Sequence, residues 1–161
     1  HECGRINAEL QLLGPHLAMG DVSDLAAVAR CAPERGPRGG PAGHARAIAC
    51  GLDTVVLVAV NLNIESNFNA RKPEPVKKYE PVAMDVDLRV PPWLRPADVF
   101  RVTWRGVEAL SPEKRQEGLR ISFAKLEVAE AVVITADRGL RPRMARDLKA
   151  LQATLRAAGV E

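Results

Sequence analysis

Asp85 and Asp87 are the residues whose types and spacing come nearest to those of a catalytic pair. They stand two residues apart in a stretch that alternates apolar and polar side chains, so strand geometry separates them by about 6.6 Å. Glycosidases hold their acid and base carboxylates at comparable distances. A solvent-facing strand also needs charged side chains, and nothing nearby in the sequence supplies a pocket. We therefore interpret this pair as structural.

Oxygen-bearing side chains alternate just after the most apolar stretch of the chain, at Asn61, Asn63, Glu65, Asn67 and Asn69. Such a row could bind sugar hydroxyls or a calcium ion in a groove. A strand that leaves its sheet produces the same alternation, and we favour that interpretation. Asn61 and Asn63 are kept as carbohydrate-binding candidates.

Aromatic side chains decide whether a sugar has a surface to stack on, and the chain has two Trp and one Tyr. Trp104 alternates with Phe100 and Val102, which predicts a core position. Trp93 and Tyr79 fall in predicted loops and are carbohydrate-binding candidates. For Trp93 we favour a role as a plug at the end of the fold, beneath the prolines of "PPWLRP".

The remaining reactive residues form no recognisable pattern. His1, His16 and His44 are far apart, and no Ser, Cys or carboxylate spacing ties them into a nucleophile–base arrangement. No Cys–His spacing matches a zinc site. We predict no catalytic residue, no metal and no cofactor in this chain.

Two cysteines, Cys31 and Cys50, flank the glycine- and proline-rich stretch "ERGPRGGPAG". If that stretch is a hairpin loop between adjacent strands, Cys31 lies opposite Arg46, and Cys50 lies about 13 Å further along. A disulfide cannot span that distance, so free thiols are expected.

Charge and hydropathy restrict the partners. The net charge is +3, from 23 basic and 20 acidic side chains, and this balance requires no anionic partner. Arginines of the C-terminal stretch could contact phosphates, but Asp147 and an apolar stripe favour docking on the protein itself, so no nucleic acid is expected. No apolar run approaches the roughly 20 residues that cross a membrane. The localisation stays undecided, and the start at His1 without Met suggests a piece of a longer protein.

Seven strands are predicted from runs that alternate or are continuously apolar. They are 25–32, 44–50, 54–63, 82–90, 100–105, 119–123 and 131–135. The run Val55–Val60 is apolar on both faces and predicts a central strand with a layer on each side. The stretch 65–81 is long enough to cross between two sheets.

Helices are predicted near both ends of the chain. Ile6, Leu10 and Leu13 recur at helical spacing before Gly14-Pro15, and a second stripe begins at Leu140. One further helical turn is placed at Pro96–Val99.

These elements predict a mainly β fold, an antiparallel β-sandwich of about seven strands with a short N-terminal helix and a C-terminal amphipathic helix. The expected division is 1–20 as an N-terminal helical segment that could end a preceding domain, 21–137 as the sandwich, and 138–161 as the C-terminal helix.

The order of pieces resembles the end of a retaining-type glycoside hydrolase chain. There, the last helix of a (β/α) barrel leads into a C-terminal β-sandwich. The stretch "INAELQLLGPHL" (6–17) is similar to that helix, "LVAVN" (57–61) is similar to a sandwich strand, and "AVVIT" (131–135) is similar to the closing strand.

This resemblance implies an accessory domain, whose partner would be the preceding catalytic domain of the same polypeptide. The family's catalytic carboxylates would lie on barrel strands outside this chain, so none is carried over. The expected function is a non-catalytic β-sandwich that supports a carbohydrate-active enzyme. The alternative is a stand-alone module that binds carbohydrate or protein, and an independent small enzyme ranks third.

Overall fold

The computed structural model describes residues 11–18, 20–65, 68–69, 72–73, 78–157 and 159. Strands dominate it, with a helical segment (residues 11–17, α1) before them and a long helix after them (Leu140–Ala157, α2). The strands are β1 (Gly20–Ser23), β2 (Ala26–Ala32), β3 (Gly43–Cys50), β4 (Thr54–Asn61), β5 (Ile64–Glu65), β6 (Phe68–Asn69), β7 (Lys72–Pro73), β8 (Lys78–Tyr79), β9 (Val82–Arg89), β10 (Asp98–Thr103), β11 (Gly106–Ala109), β12 (Glu113–Arg115), β13 (Gly118–Leu126) and β14 (Ala129–Thr135).

Ten of these strands form two antiparallel sheets. The six-stranded sheet has the order β1-β3-β4-β14-β10-β11, and the four-stranded sheet has the order β12-β13-β9-β2. Two pairs of two-residue strands, β5–β8 and β6–β7, stand apart. All seven predicted strands are present, and the prediction of a mainly β antiparallel fold is confirmed. The connection after β4 does cross from the six-stranded to the four-stranded sheet.

The main core lies between the two sheets. On β9, Val82, Met84, Val86 and Leu88 are each at most 2% exposed and face Leu57 and other apolar residues of the six-stranded sheet. The alternate residues of β9 are partly exposed. The period of two therefore places one face in the core and one in solvent, as predicted.

A second core covers the other face of the six-stranded sheet, which we call its outer face. There Leu13 of α1 and Leu140 and Met144 of α2 join a cluster with Val56 and Phe100. Strand β4 is consequently buried on both faces, as the unbroken apolar run predicted.

Helix α2 docks by the stripe that the sequence indicates. Leu140, Met144 and Leu148 are buried. Polar contacts hold the same helix at two places, since Arg141 Nε donates to Asp98 (2.8 Å) and Gln152 Nε2 donates to the carbonyl of Trp104 (2.6 Å). The fold therefore consists of three layers: two sheets and a layer of helices.

Helix α1 continues past Gly14 and Pro15, where the sequence predicted its end. A proline inside a helix removes one donated hydrogen bond. The packing of Leu13 and Leu17 on the sheet compensates, and the amide of Ala18 closes the last turn on the carbonyl of Gly14 at 2.8 Å.

The glycine-rich loop is not a hairpin between adjacent strands, so that prediction is wrong. Strand β2 pairs with β9 in one sheet, while β3 pairs with β1 and β4 in the other. The loop therefore crosses between sheets. Cys31 packs against the inter-sheet core and Cys50 lies beneath the helices. Both thiols are free as expected, but they are kept apart by the six-stranded sheet and not by hairpin register.

The proline-rich corner also differs from its prediction. Residues 98 and 99 belong to β10, with Asp98 paired to Thr135, so no helical turn forms at Pro96–Val99. Leu94 (4% exposed) fills the end of the core, whereas Trp93 is 43% exposed. Leu94, and not Trp93, therefore closes this end of the core.

Candidate functional site

The solvent face of the four-stranded sheet carries a shallow depression, which we call the basin. It has a volume of about 540 Å³. Its walls come from the β1–β2 turn, the end of β9 and the β12–β13 hairpin. The residues that matter most in it are Asp24, Asp87, Arg89, Arg115, Gly118 and Arg120.

An ion pair crosses the strands inside the basin. Asp87 of β9 and Arg120 of β13 are direct cross-strand partners. Arg120 donates from Nε and Nη2 to the two carboxylate oxygens of Asp87, both at 2.7 Å. These hydrogen bonds lower the pKa of Asp87, and the positive charge of Arg115 acts in the same direction. Asp87 is therefore ionised at neutral pH.

Asp85 lies one row further along the same face and is also paired. Arg30 of β2 donates from Nε to its carboxylate at 2.9 Å. The two aspartates thus each bind an arginine on a different neighbouring strand. The alternation along β9 predicted this solvent face. It did not predict Arg30 and Arg120 as the partners, because the sequence does not show which residues of two strands lie opposite each other.

Asn61 is buried and its amide is fully engaged by the main chain. Its Nδ2 donates to the carbonyls of Glu80 (2.9 Å), Leu126 (3.2 Å) and Glu127 (2.8 Å). Its Oδ1 accepts from the amide of Asn63 at 2.7 Å. Asn61 therefore ties the end of β4 to the end of β13 and to the approach to β9.

Asn63 is 6% exposed, and its Nδ2 donates to the carbonyl of Glu80 at 3.3 Å. The two asparagines share one partner and stabilise one strand exit. An apolar cleft of about 470 Å³ lies beside them, beneath the glycine-rich loop. It is lined by Gly36, Arg38, Gly40, Pro41, Leu62 and Ile64.

The two aromatic candidates lie at opposite ends of the sandwich. Tyr79 of β8 comes just before the start of β9, and Trp93 follows its end. Strand β9 extends over about 23 Å between Val82 and Arg89. The side chain of Tyr79 lies outside the described residues. The structure thus brings Tyr79 to the end that holds Asn61 and Asn63, and separates Trp93 from all three.

Trp104 is half-buried in the β10–β11 turn and is not the core residue that its alternation with Phe100 and Val102 predicted. Strand β10 ends at Thr103, so the period of two no longer applies to the next residue.

Neither a metal centre nor a membrane-spanning helix is found in the part of the chain that the structure describes. No three His, Cys, Asp or Glu side chains there are grouped so that they could hold a metal ion. None of the helices in that part is long and apolar enough to span a bilayer.

Comparison with known proteins gives a weak structural likeness. No family profile matches the chain, and no curated protein sequence matches it. Among solved structures, an alpha-L-fucosidase isoenzyme 2 from Paenibacillus thiaminolyticus is similar over 80% of this chain, at 11% identity and a TM-score of 0.44. The similarity covers 17% of that much longer chain. A likeness of this degree assigns no family to the protein.

Proposed function

We propose that this chain is a non-catalytic β-sandwich domain that supports a carbohydrate-active enzyme of the glycoside hydrolase type. The observation that carries the proposal is the pairing of Asp85 with Arg30 and of Asp87 with Arg120. A glycosidase needs one carboxylic acid with a raised pKa. Arg120 instead lowers the pKa of Asp87. Asp85 and Asp87, whose spacing comes nearest to that of a catalytic pair, are each held by a cross-strand ion pair within the sheet.

The packing of α1 supports an accessory role. Leu13 is 5% exposed, and Leu12 and Leu17 pack around it on the outer face of the six-stranded sheet. A preceding domain joined through α1 would be attached by a helix that is packed on the sandwich. Such a helix fixes the orientation of the two domains better than a flexible linker does. In this proposal residues 1–20 end the preceding catalytic domain, 21–137 form the sandwich and 138–161 form its closing helix.

The full reading frame around His1 tests the proposal. We expect a barrel-sized coding region upstream and hydrolysis of an aryl glycoside panel by the complete polypeptide. The double variant Asp85→Asn/Asp87→Asn should retain that activity, because neither carboxylate takes part in it. Loss of hydrolysis in a double variant that keeps its fold would contradict the proposal. A natural start codon close to His1 would do so as well.

A self-standing binding module is the second candidate, and the exposure of Trp93 favours it. A 43% exposed indole at a proline-rich corner can stack on a sugar ring. We expect this binding to be weaker than millimolar, since Trp93 is the only exposed aromatic side chain among those whose burial the structure describes.

Titration with soluble oligosaccharides, followed by Trp fluorescence, separates the two candidates. The Trp104→Phe variant assigns the signal to Trp93. Saturable micromolar binding that Trp93→Ala abolishes, without loss of fold, would replace the accessory function by the binding module.

A further inference from the structure

Two arginines flank a glycine in one cross-strand row of the basin. Arg115 of β12 pairs with Gly118 of β13, and Gly118 pairs with Arg89 of β9. Residues that are directly paired across two strands lie on the same face of the sheet. Asp87 is two residues before Arg89 on β9, Arg120 is two residues after Gly118 on β13, and both side chains are on the solvent face. Arg89 and Arg115 therefore lie on that face too, with Cα atoms separated by two strand spacings, about 10 Å.

Gly118 lets the main chain of β13 approach that of β9 closely, and it places no side chain between the two arginines. A Cβ at this position would lie 2.0 Å from the carbonyl oxygen of Leu88 and 3.0 Å from the Cα of Arg89. No other residue fits without moving the neighbouring strand. The basin at this row is therefore lined by main chain at Gly118, with an arginine on the strand to each side.

The arginines of the basin differ in what they already bind. Arg120 is occupied by Asp87, and Arg115 donates from Nη2 to Glu113 at 2.9 Å. The main-chain amide of Arg89 donates to the carbonyl of Leu25 at 2.8 Å, but its exposed side chain has no hydrogen bond or ion pair within the described residues. The guanidinium of Arg89 is therefore available to a ligand, and that of Arg115 still has N–H groups that make no hydrogen bond to any described residue.

The acidic neighbours restrict the charge of a ligand. Asp24, Asp87 and Glu117 line the same basin and would repel a dianion more strongly than a monoanion. Guanidinium groups bind carboxylates through paired hydrogen bonds. Gln116, Glu117 and Asp24 on the rim offer partners for hydroxyl groups. The volume of about 540 Å³ lies within the range of small-molecule sites.

We propose that the basin binds a small hydroxylated carboxylate, such as a sugar acid, with its carboxylate above Gly118 between Arg89 and Arg115. This site would serve binding and not catalysis, and it does not depend on the chain's being an accessory domain.

Titration of the 161-residue chain with D-glucuronate, followed by amide NMR shifts, tests the site. We expect saturable shifts at Gly118 and at its neighbours, with millimolar affinity that falls as salt is added. Arg89→Gln should weaken binding about five- to tenfold, since it removes a charged hydrogen-bond donor from an exposed site. Arg115→Lys, which keeps the charge but loses the paired donors, should also weaken it.

Arg138→Gln is the matched control, because it makes the same charge change at an exposed residue before α2, which lies on the other sheet. We expect it to bind glucuronate as the wild type does. Glucose and inorganic phosphate should shift the basin amides less than glucuronate does. The proposal is overturned if glucuronate gives no saturable shift, if Arg89→Gln binds like Arg138→Gln, or if glucose or phosphate binds equally well.

Discussion

Arg120 holds Asp87 across the four-stranded sheet with two hydrogen bonds of 2.7 Å, one to each carboxylate oxygen. Two donors fixed on one planar group make the carboxylate a permanent negative charge at neutral pH, because hydrogen bonds to the charged form favour it. The same contact links β13 to β9 at the middle of the sheet. Asp87 is thus held in an ion pair within the sheet, at the position where its spacing from Asp85 resembles that of an acid–base pair.

Replacing Asp87 by Asn should change how stability depends on acid. The folded chain holds the pKa of Asp87 below its unfolded value of about 3.9. The pair's contribution is therefore complete above that pH and disappears as the pH falls through the folded pKa. Urea midpoints of wild type and Asp87→Asn should differ near neutral pH and converge in strong acid.

Glu127 and Asp137 also have lowered pKa values, owing mainly to Lys125 and Arg143 respectively. Both are present in the wild type and the variant, so their effects cancel in the comparison. A difference between the two proteins that stays constant across the whole pH range would show that the Asp87 charge is not what stabilises the pair.

Truncating Leu88 should destabilise the inter-sheet core. Leu88 is 2% exposed, and Leu88→Ala is expected to cost about 2 to 5 kcal/mol of unfolding free energy. Val86→Thr should also destabilise, because it places a hydroxyl among apolar side chains. Val22, 69% exposed on an edge strand, provides the control, and Val22→Ala should stay within about 0.5 kcal/mol. Unchanged urea midpoints for both core variants would mean that the two faces of β9 are reversed.

Replacing Asn61 by Leu should remove a tie between three segments of main chain. The carbonyls of Leu126 and Glu127 and the amide of Asn63 would lose this partner, while the carbonyl of Glu80 would keep its bond from Asn63, and the loss is expected to cost at least about 2 kcal/mol. Asn63→Leu loses one longer hydrogen bond of 3.3 Å and should cost less. Chemical denaturation of the two variants measures the difference. Equal stability of Asn61→Leu and the wild type would show that these hydrogen bonds do not stabilise the junction.

Adding a methyl group at Gly118 should be costly because of the carbonyl oxygen of Leu88 at 2.0 Å. We expect Gly118→Ala to lose about 1 to 3 kcal/mol, as overpacked sites do. Gly106 has nothing within 4 Å of a built Cβ, so Gly106→Ala should be close to neutral. If thermal denaturation shows the same effect for both alanines, the close approach of β13 to β9 is not as described.

Local periodicity determined the elements of this protein. Alternation of two residues identified β9 and its buried face, and the continuous apolar run identified β4 as a strand covered on both sides. A stripe at helical spacing identified α2 and its docking face. These signals are local because each depends only on the geometry of one strand or one helix. Three short edge strands, β1, β11 and β12, were missed because four residues or fewer at a sheet edge establish no period.

Only the tertiary structure decided which strands lie side by side. Alternation assigns a residue to a face of the sheet but does not identify the residue opposite it on the next strand. The sequence therefore predicted neither the pairing of Asp87 with Arg120 nor the row of Arg89, Gly118 and Arg115. The same limit explains the glycine-rich loop, whose composition suits a hairpin and a crossing between sheets equally. The partner of β2 is β9, more than fifty residues away, and that choice is made by burial of the apolar faces of both sheets in the core between them.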